Sequence, residues 1–98
     1  MENFNNVLDF ARKTIEIELD SLGKLTEFLD ENFPRAVQAI LQSKGRVVIT
    51  GIGKSAIIAQ KMVATMNSTG TPAIFMHAAD AIHGDLGMIQ PSDVVICI

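Results

Sequence analysis

In the stretch RVVITGIGKSAIIAQKMVATM, residues 46–66, three local signals follow one another without a gap. Arg46 to Thr50 is a short β-branched run with no charge after Arg46, the pattern of a buried parallel strand. Gly51-Ile52-Gly53 breaks the run, and its two glycines permit a tight turn and close approach of a ligand to backbone. Lys54-Ser55 then opens a run of Ala, Ile, Gln, Lys and Met, which favours helix. A strand, a glycine turn and a helix start in that order form an anion site, because free N–H groups and the helix dipole converge there. Lys54 adds a full positive charge. Gly51, Gly53, Lys54 and Ser55 are therefore candidate binding residues for a phosphorylated ligand.

Three patterns compete for that ligand. A Walker A loop needs a glycine five positions before Gly53, where this chain has Val48, so the P-loop fails. The dinucleotide fingerprint is met by Gly51, Gly53 and Ala56, but it also needs an acid at the end of the second strand. That strand reads Ala73-Ile74-Phe75-Met76-His77 and carries none. A glycine turn that only connects strand to helix leaves Lys54 unexplained.

The chain has 98 residues, enough for one small domain. With 48% apolar residues and a net charge of −3 it can pack a core, and disorder is not expected. A mildly acidic balance without a basic cluster argues against nucleic acid as a partner. The single cysteine, Cys97, cannot form an internal disulfide, which fits a reducing cytoplasm. The N-terminus MENFNNVLDF has no basic segment or apolar run of signal-peptide type, and no stretch is long enough to cross a bilayer. A soluble cytoplasmic protein is expected.

Apolar residues recur at helical spacing through Phe4, Leu8, Ala11, Ile15, Leu19, Leu22, Leu25 and Leu29. Such a helix spans roughly 40 Å, and Gly23 is a place where it can bend. Ile17 and Phe28 widen the apolar face beyond what one small sheet covers, so the helix is expected to pack on another subunit as well. Phe33-Pro34 closes it, with Pro34 in the first turn of a second helix that ends at Lys44-Gly45. The third helix, Ser55 to Ser68, is apolar on nearly every side and is expected between the sheet and another layer. Asp80 is expected to cap a short helical turn.

Strands alternating with helices on short connections read as a parallel α/β sheet flanked by helices. Right-handed crossovers gather the loops after each strand at one edge. The third strand, Asp93 to Ile98, follows the turn Gln90-Pro91-Ser92-Asp93, and the chain reads as truncated after it. Residues 1–43 are expected to serve oligomerisation and sheet cover, and residues 44–98 to form the first half of a ligand-binding domain.

The segment HAADAIHGDLGMI, residues 77–89, holds most of the remaining chemistry. His77, Asp80, His83 and Asp85 match no compact metal-ligand spacing, so no metal is expected. His77 reads as the end of the strand, and Asp85 beside Gly84 suits a turn. His83 either moves protons near neutral pH or holds the loop by hydrogen bonds.

GIGKS (51–55), STGTP (68–72) and HGDLGM (83–88), followed by PSDVVICI (91–98), coincide in order and spacing with the sugar isomerase (SIS) domain. Within it the chain most resembles the arabinose-5-phosphate isomerases, over essentially its whole length. The resemblance implies a five-stranded parallel sheet of flavodoxin-like winding, a homo-oligomer (usually a tetramer) and no cofactor. It implies interconversion of ribulose 5-phosphate and arabinose 5-phosphate, which in Gram-negative bacteria feeds synthesis of the lipopolysaccharide sugar Kdo. Lys54 and His83 fall on residues that the family uses in catalysis. The family's Ser-rich phosphate loop after the third strand, and a glutamate beyond it, are not in these residues, so the 98 residues alone are expected to be inactive.

Aldose–ketose isomerisation needs a base, a group that stabilises an oxyanion, and a grip on the phosphate. Lys54 suits either of the last two, and His83 suits proton transfer between oxygens. Asp85 is the weaker candidate for the carbon base. The competing reading is a non-catalytic SIS module that binds a sugar phosphate and regulates a partner.

Overall fold

The computed structural model describes residues 4–98, and the chain divides after Arg35 into two compact units. In the first, α1 (Phe4–Leu25) is the expected long helix and buries none of its residues. Gly23 does not break it. Lys24 lies in its last turn, where a cation complements the dipole, and pairs with Asp20 at 3.2 Å. Both side chains are mostly exposed, so that pair contributes only about 0.3–0.5 kcal/mol. The helix ends four residues before the apolar stripe does. Thr26 donates its hydroxyl to the Gly23 carbonyl (3.1 Å), and Thr26–Phe28 tighten into a 3-10 turn before Leu29 extends. Asp30 then accepts from the Asn32 amide (2.9 Å), and α2 (Asn32–Gln42) begins with Pro34 in its first turn.

The second unit is a parallel sheet of β1 (Val47–Gly51), β2 (Ala73–His77) and β3 (Val94–Cys97), in the order β2-β1-β3. Val47 stands in register with Ala73 on one side and Val94 on the other. Central β1 is buried throughout, which is why its apolar run does not alternate. Its odd-numbered side chains meet α3 (Lys54–Ser68): Val47 and Ile49, with Ala73 of β2, pack on Ala59, and Ile40 of α2 joins them. On the opposite face, Val48 and Met76 pack against Ala81 of α4 (Ala78–Ile82), with Ile89 alongside.

The expected second layer over α3 is not formed by the described residues of this unit. Ala56 and Ala59 are buried against the sheet, whereas Ile57 and Ile58 on the other side are 67% and 55% exposed. Residues 78–88 also carry more structure than a loop. Besides α4 they form a 3-10 turn at Asp85–Met88.

At the amino edge of the sheet, residues 43–46 and 90–93 are tied together. Ser43 Oγ donates to the Ser92 carbonyl (2.9 Å). Asp93 accepts from the Arg46 amide (2.8 Å), the Gln90 amide (2.7 Å) and the Arg46 guanidinium (3.2 Å). The Gln90 and Arg46 amides, with the guanidinium adding to them, hold that carboxyl below its ordinary value. Asn67 brackets Ala73 in the same manner, accepting from its amide (2.8 Å) and donating to its carbonyl (3.0 Å).

Candidate active site

Gly51 ends β1 and lies in register with His77, which ends β2, so the turn after β1 and the helix after β2 leave the sheet as neighbours. The two glycines of the turn act differently. Gly53 has φ 61 and ψ −132, a conformation that L side chains rarely adopt. Gly51 is needed for packing: a Cβ there would meet the Ser55 carbonyl carbon and oxygen, each at 3.1 Å. The helix's own backbone thus makes a close approach at Gly51.

Lys54 is the first residue of α3. The Ala56 amide donates to the Gly53 carbonyl (3.1 Å), and the Lys54 and Ser55 amides have no acceptor among the described residues. No side chain caps the helix and its first turn holds no acid. Lys54 is exposed, and no ion pair among the described residues engages it. A cation at this end of a helix is repelled by the dipole, by about 0.3–1 kcal/mol. Uncapped amides and an unpaired ammonium together leave a concentration of positive charge suited to a phosphate.

His83 follows α4 as its C-terminal cap residue, its amide donating to Asp80 (3.0 Å). Its imidazole is exposed and makes no hydrogen bond among the described residues. Gly84, at φ 125, turns the chain into the 3-10 segment that half-buried Asp85 opens. The structure thus gathers Gly51, Gly53, Lys54 and Ser55 on one turn, and carries His83 and Asp85 on the segment that leaves the adjacent strand.

Two features escaped the sequence. The cap of α4 is His77 and not Asp80: His77 Nδ1 accepts from the Ala79 amide at 3.1 Å, while Asp80 sits inside the helix. That bond fixes the proton on Nε2, and the ring stands edge-on to Phe75 with centroids 6.2 Å apart. Histidine is an uncommon cap, so no sequence signal marked it. The other feature is the Thr50 hydroxyl, buried with no partner among the described residues between Met76 and Cys97 in the ladder. Among the described residues no three His, Cys, Asp or Glu side chains gather as metal ligands, and no helix is long and apolar enough to cross a membrane.

Residues 40–98 match the SIS domain, and the chain belongs to that family. It is 49% identical over 92 residues, 94% of its length, to arabinose 5-phosphate isomerase GutQ of Escherichia coli. It is 47% identical over 88 residues, 90% of its length, to arabinose 5-phosphate isomerase KdsD of Yersinia pestis. A solved structure of an Escherichia coli CFT073 protein in complex with arabinose 5-phosphate superposes with a TM-score of 0.90 at 36% identity, covering 98% of this chain and 51% of that one. The chain spans 29% and 27% of the length of the two curated relatives.

Proposed function

We propose that this chain forms part of a sugar-phosphate isomerase that interconverts ribulose 5-phosphate and arabinose 5-phosphate and feeds Kdo and lipopolysaccharide synthesis in the cytoplasm. The observation that carries the reading is a glycine turn delivering uncapped amides and an unpaired Lys54 at one helix start, in a chain 49% identical to a curated arabinose 5-phosphate isomerase. In this reading residues 44–98 supply the first half of the sugar-phosphate domain, and residues 1–43 serve sheet cover and assembly as a homo-tetramer.

The reaction moves a proton between adjacent carbons through a cis-enediol(ate). As the base removes the proton next to the carbonyl, the electron pair moves onto the carbonyl oxygen, and a cation there lowers the barrier. Lys54 either meets that oxygen or joins the Ser55 amide and the glycine turn in gripping the phosphate. His83, exposed and free of other bonds, passes a proton between the two oxygens. The carbon-bound proton goes to a carboxylate. Asp85 is the candidate in this segment, and the resemblance points to a glutamate beyond the third strand.

The test is a chimera in which these residues replace the matching segment of the Escherichia coli relative, assayed for conversion of ribulose 5-phosphate. A folded chimera that converts the sugar supports the reading. A folded chimera that binds the sugar phosphate without turnover supports the regulatory alternative instead.

A further inference from the structure

Between Ala81 of α4 and Ile89, both packed on the sheet, runs a stretch with little of its own to hold it. Gly84, Leu86, Gly87 and Met88 are exposed, and two of these four positions are glycine. Its internal bonds are local: Gly87 donates to the Gly84 carbonyl (3.1 Å) and Ile89 to the Leu86 carbonyl (3.2 Å). Its path is therefore set from its ends. At the near end α4 is capped by His77. At the far end Arg46 Nη2 donates to the Met88 carbonyl at 2.8 Å while also reaching Asp93 Oδ2 at 3.2 Å.

Arg46 is itself held in place. Its amide donates to Asp93 Oδ1 (2.8 Å), its carbonyl accepts from Val94 (3.0 Å), and it directly precedes buried Val47. The Asp93 side chain is 1% exposed, so the guanidinium is braced by a fixed carboxylate on one side and bonds the Met88 carbonyl on the other. The two N–H groups of Nη2 serve the two acceptors at once.

We propose that Arg46 is a positioning residue, which sets the path of the His83–Met88 segment through the Met88 carbonyl and thereby places His83 and Asp85 for proton transfer. The inference rests on the isomerase reading for its catalytic half and on geometry for the latch itself.

Two measurements on the chimera separate the halves. Amide hydrogen exchange reads the latch. Arg46→Met keeps the backbone bond to Asp93 and should speed exchange across Gly84–Ile89 while leaving α3 unchanged. Unchanged exchange there overturns the inference, whether or not the protein is an isomerase. Kinetics read the consequence. Arg46→Met should lower kcat about tenfold with KM little altered, and Arg46→Lys should recover part of the loss. In a His83→Asn background the further loss from Arg46→Met should vanish, because the two changes remove one function. Losses that multiply in the double variant overturn the inference and leave the isomerase reading standing. If Arg46→Met does not fold, Arg46→Gln, which is shorter and uncharged, is read by the same two measurements.

Discussion

Arg46 and Asp93, 47 residues apart, are joined by two hydrogen bonds, one from the Arg46 amide at 2.8 Å and one from its guanidinium at 3.2 Å. Their junction fixes the amino ends of β1 and β3 together. The turn that carries Gly51 to Lys54 is projected from the opposite edge of the same sheet.

The junction makes stability depend on acid. Asp93 is held below the ordinary carboxylate value of 3.8, first by the Gln90 amide and then by Arg46. A carboxyl whose folded value is depressed contributes stability that is complete above the ordinary value and is lost as pH falls through the folded one. Asp93→Asn should therefore lower the melting temperature at neutral pH, and the gap to the parent should shrink as pH falls below 3.8. A gap that stays constant into acid would show that the charge of Asp93 is irrelevant.

Two glycines should respond in opposite directions to alanine. A Cβ at Gly45 would collide with the Ser92 backbone, with the carbonyl carbon 2.6 Å away, and would meet the Asp93 amide at 2.8 Å. Backbone cannot step aside as a side chain does, so Gly45→Ala should cost about 1–3 kcal/mol in denaturant unfolding. Gly23 lies inside α1 with nothing within 4 Å of its Cβ position, so Gly23→Ala should gain about 0.5–1 kcal/mol. Equal effects at the two sites would contradict this packing.

The α1 stripe should mediate assembly. Leu8, Ile15, Leu19, Leu22 and Leu25 line one side of the helix and are each more than half exposed, Leu22 at 61%. Leu22→Glu should reduce the mass of the chimera by light scattering. An unchanged mass would remove this face from assembly.

The sheet was legible because its signals are local. Glycine or proline bounds each strand run, and right-handed crossovers over short connections gather the loops after the strands at one edge. The Gly51–Lys54 turn was legible for the same reason. What failed needed long-range knowledge. Whether Ile57 and Ile58 are covered depends on what else packs there, which the composition of α3 does not state. The roles of Arg46 and Asp93 depend on a pairing across two crossovers, and that of His77 on which ring nitrogen meets a backbone amide.

Lys54 is the residue on which the whole account turns, so its removal is the most direct test. Alanine leaves the helix start intact and even relieves the clash with its dipole, so folding should not suffer. In the chimera, Lys54→Ala should cut turnover of ribulose 5-phosphate at least tenfold, about 1.4 kcal/mol of transition-state stabilisation. Near-parental kcat/KM in a well-folded Lys54→Ala chimera would contradict the account and remove the glycine turn from the active site.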